Sequence, residues 1–308
     1  SGVPPPGLND EQWRALIMAS AVAGELGNRA ACDLLPAQGT APMLQLQPIL
    51  PPEWNIDQRR AAAMWLKHTV AQFGWPPASI ALAEVKQEIG PAAILGRLAH
   101  EAVGSGPLVA IVLACASNIG EDTVGKWAGN GTLFTSSQPH GLIPGEGAAG
   151  LLLTDLKQAR SLEDPAFALL DPMLEARRDL SIDDARRADA TLLAELAERV
   201  LTHGAVRLPD VSVIVADTGH RANRAQELMG FASGAMPQLN GEGDVVCVGT
   251  ASGTCGAVPF MTALALARHH ALERHAPVLC ISNEDPYLRC TALIRPADSS
   301  GKPDQASA

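Results

Sequence analysis

The chain has 308 residues, which is enough for one large α/β domain or two smaller ones with a well-filled core. Its formal net charge is -10, with 23 Lys and Arg against 33 Asp and Glu, so no basic stripe is available to neutralise phosphates. This balance argues against a nucleic-acid-binding protein and against attachment to an anionic membrane surface.

Six cysteines are spread along the chain without C-x-x-C or His-paired spacing, so the sequence signals neither a zinc site nor a disulfide framework. We therefore expect buried free thiols, as suits the reducing cytoplasm, with no bound metal and no cofactor. No apolar run reaches the roughly 18 residues that span a bilayer, and no signal-peptide pattern occurs. The sequence begins Ser-Gly-Val rather than with Met, as after removal of a tag, so we expect the natural protein to extend further, and a targeting or membrane segment would lie there.

In chain order, residues 1–77 predict a helix, a strand and a second helix. Asn9 is a candidate N-cap for an amphipathic helix, and the alternation of apolar and polar residues over 43–49 predicts a strand. Asn55 is a second candidate N-cap, for a helix that continues to about Gln72.

The next stretch predicts a strand over 79–83, a helix that opens near Glu84 and a wholly apolar strand over 108–116. Glu84 stands at the junction between strand and helix, where α/β proteins tend to build active sites. The polar connection over 118–137 is interpreted as a lid or as a long surface loop, because loops of this length are often functional.

The rest of the chain predicts a second series of alternating elements. The expected strands cover 147–153, 166–170, 211–217, 244–249, 277–282 and 290–295, and the expected helices run from Ser181 to about His203, over 222–229 and up to about Arg274. The order strand, helix, strand, strand occurs once in 79–153 and again in 244–295. This repeat of architecture, rather than of residues, predicts two mixed sheets with helices between and outside them.

Two glycine-rich segments stand out: residues 139–153 read P-H-G-L-I-P-G-E-G-A-A-G-L-L-L, and residues 249–257 read G-T-A-S-G-T-C-G-A. The first resembles the pattern P…G-F-x-x-G-E-G-A…L-V-L of the β-ketoacyl synthases, which have the thiolase-like fold. The second resembles the turn G-H-x-x-G-x-x-G-A that precedes the last long helix in those enzymes.

Two further segments support this resemblance. Residues 79–84, S-I-A-L-A-E, are similar to the S-I-x-x-A-C sequence that carries the nucleophile. Residues 214–217 with Asn223 and Glu227 are similar to A-H-G-T-G-T…N-D-x-x-E. The resemblance covers 78–296 and implies a thiolase-like layered α/β fold with a shortened N-terminal half. Residues 1–77 then form an abbreviated first part of that fold or a separate extension, and residues 297–308 form a flexible tail.

The resemblance also implies which positions should carry the chemistry, and this chain has other residues there. Glu84 stands at the position of the nucleophilic Cys, and Asp217 and Thr250 stand at the two His positions. Residues 283–288, N-E-D-P-Y-L, replace the late glycine loop that is similar to G-F-G-G-x-N in synthases. We therefore expect no catalytic residues of the synthase type, because a carboxylate cannot form and release a thioester as a thiolate does.

Two alternatives stay open for individual residues. Glu84 is either a favourable carboxylate in the first turn of a helix or a remnant of a pocket in which it acts as a general base. Cys255 is either a small buried residue or a nucleophile. In the second case, its position at a glycine-rich helix start would lower the pKa of its thiol, and His220 or Asp217 would act as its base.

The functional hypothesis is a non-catalytic thiolase-like adaptor or scaffold that binds a protein partner. The chain also resembles the adaptors that load lipase effectors onto bacterial type VI secretion machinery, which implies a secreted effector and its delivery machinery as partners. The alternatives are an acyl-thioester-processing enzyme, such as an acyltransferase or hydrolase, and an acyl- or CoA-binding module. The family resemblance implies a homodimer through 79–83, although the abbreviated N-terminal half is equally compatible with a monomer.

Overall fold

Two β-sheets alternate with three layers of helices in the computed structural model of the chain. The structure describes residues 7–36, 40–83, 90–103, 107–162, 167–184, 189–241 and 243–297. The nine helices of these residues are α1 (Asp10–Leu34), α2 (Ile56–Gln72), α3 (Pro91–Ala102), α4 (Glu121–Gly129), α5 (Leu156–Arg160), α6 (Thr191–His203), α7 (Ala222–Ala235), α8 (Gly249–Ser252) and α9 (Val258–Arg274).

The ten strands of the described residues form two sheets. They are β1 (Leu44–Ile49), β2 (Ile80–Leu82), β3 (Val109–Ser117), β4 (Glu146–Thr154), β5 (Ala168–Leu170), β6 (Leu174–Arg177), β7 (Val213–Ala216), β8 (Val245–Cys247), β9 (Val278–Ser282) and β10 (Leu288–Pro296). The first sheet has the order β2-β1-β3-β4, and the second has the order β5-β10-β9-β7-β8, with β6 also paired to β10.

The two sheets repeat one topology. In the first sheet, β1 pairs in parallel with β2 and β3, and β3 pairs antiparallel with β4. In the second sheet, β7 pairs in parallel with β8 and β9, and β9 pairs antiparallel with β10. The predicted architectural repeat is thus confirmed. Each copy of the repeat also begins with one more strand and helix than predicted, β1-α2 in the first and β7-α7 in the second.

Strand β3 is buried on both faces because helices lie on each side of the first sheet. All nine of its residues are buried. Its even-numbered residues from Ala110 to Ala116 belong to one hydrophobic cluster with residues of α3 and α9, and its odd-numbered residues from Val109 to Cys115 belong to another with residues of α1 and α2. Helices α6 and α7 cover the outer face of the second sheet. The predicted fold class, two mixed sheets with helices between and outside them, is confirmed.

The N-terminal elements form where the capping residues predict them. Asn9 and Gln12 form a capping box at the start of α1, and Asn55 and Gln58 form another at the start of α2. Strand β1 pairs with β3 over six residues, so the segment 1–77 contributes a strand to the interior of the first sheet. Its description as a shortened part of the fold or a separate extension stays a prediction.

Some predicted elements differ from the observed ones. The helix predicted from Ser181 is observed from Thr191. The Ser181 hydroxyl instead accepts the backbone N–H of Asp183 in a turn, and the Asp189 carboxylate accepts the backbone N–H of Thr191 just ahead of the helix. The connection over 118–137 contains α4, which the polar sequence did not reveal. The helix expected to open near Glu84 falls on residues 84–89, which lie outside the described residues, and α3 begins at Pro91.

Candidate functional site

Three segments converge at the carboxyl end of the second sheet, namely the residues after β7, the turn before α9 and the turn between β9 and β10. Their backbones are in close contact. A Cβ placed on Gly249 would lie 2.1 Å from the carbonyl oxygen of Asp217. The residues just before β4 also reach this junction, since a Cβ on Gly145 would lie 2.0 Å from the carbonyl oxygen of Ser252 in α8. These glycines are therefore required for close approach of the backbones.

Asp217, the residue at the first predicted His position, is 6% exposed and points into this junction. Its Oδ1 accepts the backbone N–H groups of Asn283, at 2.8 Å, and of Glu284, at 3.2 Å. Its Oδ2 accepts a short hydrogen bond from the hydroxyl of Ser282. Burial raises the pKa of Asp217 to about 6, against the opposing effect of these hydrogen bonds, and the nearby Glu284 raises it further.

The residues that replace the late glycine loop are also held by side-chain contacts. Asn283 is fully buried, and its Oδ1 accepts the hydroxyl of Thr218 at 2.6 Å. The Glu284 carboxylate accepts a hydrogen bond from the backbone N–H of Gly219 at 2.8 Å and forms an ion pair with Arg221. The turn after β9 and the loop after β7 are therefore bound to each other in both directions, by Asp217 on one side and Glu284 on the other.

An ion-pair cluster extends this network beneath α7. Glu227 is fully buried and binds Arg289 at 2.9 Å and Arg178 at 2.8 Å, while its Oε2 accepts the side-chain amide of Asn283. Glu227 was singled out from the sequence by its place in the family pattern. Its arginine partners lie 49 and 62 residues away along the chain and carry no sequence signal that links them to it.

A second ion pair lies at the edge of this cluster. The buried guanidinium of Arg224 donates to both carboxylate oxygens of Asp183, at 2.6 and 3.0 Å. These hydrogen bonds lower the pKa of Asp183 to about 2, in spite of partial burial. Asp183 therefore stays ionised at any physiological pH.

Thr250 and Cys255, the other two predicted positions near α9, face different surroundings. Thr250 is exposed, and its hydroxyl donates to the carbonyl oxygen of Cys247 at 2.7 Å. Cys255 is 1% exposed, and its Sγ lies 3.6 Å from the carbonyl oxygen of Ser252. Burial raises the pKa of the Cys255 thiol to about 11, so its neutral form predominates.

His220 does not contact Cys255 through a hydrogen bond. Its Nε2 donates to the carbonyl oxygen of Gly141 at 2.8 Å, and its ring packs edge-on against Phe134 with centroids 5.4 Å apart. The imidazole therefore attaches the 131–142 segment to the loop after β7. Glu84, the residue predicted to stand at the nucleophile position, lies outside the described residues.

Within the described ranges, no cluster of three or more His, Cys, Asp or Glu side chains could hold a metal ion. Every helix in those ranges falls short of the length or apolarity needed to cross a bilayer.

Several solved structures share this arrangement of layers. One is a type II polyketide ketosynthase in complex with its acyl-carrier protein (AntDE:AntF), with a TM-score of 0.66 and 14% identity over 94% of this chain and 86% of that one. Another is the ishigamide ketosynthase/chain length factor, with a TM-score of 0.59 and 16% identity over 95% and 83% of the two chains. A third is a monomeric SCP2-thiolase-like protein from Mycobacterium smegmatis, with a TM-score of 0.56 and 13% identity over 96% and 75%.

No protein-family model and no curated protein sequence matches the chain. The fold is thiolase-like, as in ketosynthases and related acyltransferases. At identities of 16% or less, this likeness is one of fold.

Proposed function

We propose that this protein is a non-catalytic member of the thiolase-like fold that acts by binding a protein partner. The observation that carries this proposal is that hydrogen-bond donors of the protein already occupy the carboxylate of Asp217. At the position where the resemblance implies a hydrogen-bond-donating histidine, this chain has a buried carboxylate that accepts three hydrogen bonds from Ser282, Asn283 and Glu284.

Acyl transfer needs donors that are free to bind the developing oxyanion. The backbone N–H groups of Asn283 and Glu284 donate to Asp217, and that of Gly219 donates to Glu284. These groups lie in the two loops from which such donors would have to come. Because carboxylates of the protein already occupy them, binding an anionic intermediate there would require breaking buried hydrogen bonds.

Acyl transfer also needs a nucleophile that is both ionised and accessible. The buried Cys255 thiol, with its raised pKa, meets neither condition, and the imidazole of His220 is bound to Gly141. An enzyme that uses the Cys255 and His220 pair would have to rearrange both side chains before reaction. These observations support a protein that retains the framework and uses it for another purpose.

The partner that we propose to test first is a secreted lipase effector, together with its type VI delivery machinery, because the sequence resembles adaptors of that kind. The ketosynthase solved with its acyl-carrier protein is a precedent for a protein of this fold that engages a protein partner. In this chain, the segment 118–137 and the outer helices α1 and α2 are the surfaces proposed for the partner.

Two measurements test the proposal. The wild-type protein and a Cys255→Ser variant are incubated with short- and long-chain acyl-CoA thioesters, and intact mass and free thiol release are followed. We expect no adduct and no release above the rate without protein. In parallel, co-elution with a purified lipase effector is measured by size exclusion with an unrelated lipase as control. A wild-type acyl adduct that Cys255→Ser abolishes would favour the enzyme and overturn the proposal, and an effector that elutes separately would overturn the partner assignment.

A further inference from the structure

Three arginines of the described residues are buried, and two of them bind carboxylates. Arg224 binds Asp183, and Arg289 binds Glu227. The third, Arg59, is 5% exposed, and its Nε and Nη1 atoms are buried without any hydrogen-bond partner. Among the described residues, its guanidinium is the buried positive charge that lacks a counter-ion.

Arg59 lies on the core-facing side of α2. The buried residues Ala62, Leu66 and Val70 follow it at helical spacing and pack into the cluster formed by α1, α2 and the first sheet. Arg59 is the fourth residue after the N-cap Asn55. In a hydrophobic staple, an apolar residue at that position packs against an apolar residue just before the N-cap, so an apolar side chain would suit position 59. That preceding residue is Trp54, which is 5% exposed.

We expect the side chain of Arg59 to extend toward the N-terminal end of α2. Helical Cα–Cβ bonds tilt toward the N-terminus, and long side chains lie over the preceding turn. Because α2 follows β1 and returns along the sheet, this helix end lies at the carboxyl edge of the parallel strands β1, β2 and β3, the edge at which α/β proteins bind ligands. The positive end of the helix dipole adds to the positive charge of the guanidinium there.

Burial of an unpaired cation is strongly unfavourable, and proteins normally neutralise such a charge with an anion. From the burial of Arg59, its unpartnered N–H groups and its place at a helix N-terminus, we propose that Arg59 binds an anion of the carboxylate or phosphate class at the carboxyl edge of the first sheet. The proposal does not depend on the proposed adaptor function, because Arg59 lies in the outer helical layer of the first sheet and Asp217 lies in the second.

Thermal unfolding of the intact protein tests the proposal through variants of two neighbouring arginines. Arg59→Met removes the charge and keeps an unbranched side chain of similar length, and Arg59→Lys keeps the charge. Arg60→Met is the matched control, since Arg60 is on the same helix with a 70% exposed side chain. Melting is followed by circular dichroism at pH 7 with inorganic phosphate, acetate or chloride as the anion, at constant ionic strength.

For the wild type and for Arg60→Met, we expect phosphate or acetate to raise the melting temperature by about 2 °C or more over chloride. A larger effect of phosphate at equal concentration identifies a phosphate ligand, and a larger effect of acetate identifies a carboxylate ligand. Arg59→Met should melt above the wild type in chloride and show no anion effect, because the unpaired charge is gone. Arg59→Lys should retain a smaller anion effect.

Three results would overturn the proposal. If Arg59→Met melts below the wild type in chloride, the guanidinium has a stabilising partner within the protein. If Arg59→Met keeps the full anion response, the anion binds elsewhere. If neither phosphate nor acetate shifts the wild-type melting temperature, Arg59 does not bind an anion of this class.

Discussion

Asp217 and Asn283 hold the ends of two adjacent parallel strands together. The Oδ1 atom of Asp217, directly after β7, accepts the backbone N–H of Asn283, directly after β9, at 2.8 Å. In return, the side chain of Asn283 accepts the hydroxyl of Thr218, the residue that follows Asp217. Two side chains thus join the loops after β7 and β9, and these contacts should contribute measurably to stability.

The first prediction concerns the loss of this carboxylate. Asp217→Ala leaves the hydroxyl of Ser282 and the backbone N–H groups of Asn283 and Glu284 buried without their acceptor. We expect the free energy of unfolding at pH 7 to fall by about 3 kcal/mol. Urea unfolding followed by circular dichroism measures it. The control Asp179→Ala, at an exposed carboxylate, should change it by no more than about 0.5 kcal/mol. Equal effects of the two substitutions would show that the contacts of Asp217 do not contribute to the free energy of unfolding.

The second prediction concerns pH. The pKa of Asp217 is about 6 in the folded protein, above its ordinary value of 3.8, so the folded state binds the proton more tightly than the unfolded state. The contribution of this group to stability is therefore fully present below about pH 4 and is lost as the pH rises through about 6. The loss amounts to about 3 kcal/mol, since one pKa unit corresponds to about 1.4 kcal/mol.

This pH effect is isolated by comparing the wild type with Asp217→Asn, which cannot ionise. The difference in unfolding free energy, wild type minus variant, should decrease between pH 4 and pH 7. Asp183 acts in the opposite direction at lower pH, because its pKa is lowered to about 2 and the stability that it provides is lost below about pH 4. A difference that is flat or that increases from pH 4 to pH 7 would contradict a raised pKa at Asp217.

Much of the framework could be predicted from local sequence signals. The capping residues Asn9 and Asn55 marked two helix starts because their side chains satisfy N–H groups within the same turn. The apolar run of β3 marked the central strand because both of its faces are buried. Helix α6 was predicted too early because the Ser181 hydroxyl accepts the backbone N–H of Asp183 in a turn, and the Asp183 carboxylate binds Arg224, which is distant along the chain.

The candidate site could be predicted only in part, for a physical reason. The glycines at 145 and 249 were recognisable from the family pattern, and the close approach of the backbones explains why no larger residue fits there. The pairing of Glu227 with Arg178 and Arg289 was not, because charges that meet only through the tertiary fold follow no spacing along the chain. For the same reason, the unpartnered state of Arg59 is visible in the structure alone.

The third prediction concerns the buried cluster around Glu227. Glu227→Gln removes the negative charge and leaves the guanidinium groups of Arg178 and Arg289 near each other without a counter-ion. Breaking a buried ion pair from one side should lower the free energy of unfolding by about 3–5 kcal/mol. Glu25→Gln, at an exposed position of α1, is the control and should be nearly neutral. If both variants unfold at the same urea concentration, the cluster does not stabilise the fold.

The fourth prediction tests the close approach of the loops at the candidate site. A methyl group on Gly249 would meet the carbonyl oxygen of Asp217 at 2.1 Å, and backbone atoms cannot yield without moving β7. Gly249→Ala should therefore lower the free energy of unfolding by about 3 kcal/mol or more. Gly125→Ala is the matched control, since Gly125 lies within α4 with open space around it, and should raise stability by about 0.5–1 kcal/mol. The same substitution, Gly to Ala, should therefore lower the free energy of unfolding at position 249 and raise it at position 125. A Gly249→Ala variant as stable as the wild type would show that the loops are not in tight contact.

The fifth prediction concerns the left-handed backbone at the ends of α6 and α9. Ala205 has φ 52° and His275 has φ 50°, a conformation that costs residues with a Cβ about 1 kcal/mol or more and glycine almost nothing. Ala205→Gly should therefore raise the free energy of unfolding by about 0.5–1 kcal/mol, even though glycine makes the unfolded chain more flexible. Ala21→Gly, at an exposed position within α1, makes the same chemical change where φ is helical, and it should lower stability by about 1 kcal/mol. Urea unfolding of the two variants beside the wild type measures both effects, and a destabilising Ala205→Gly would show that the side chain at 205 makes contacts worth more than the strain it imposes.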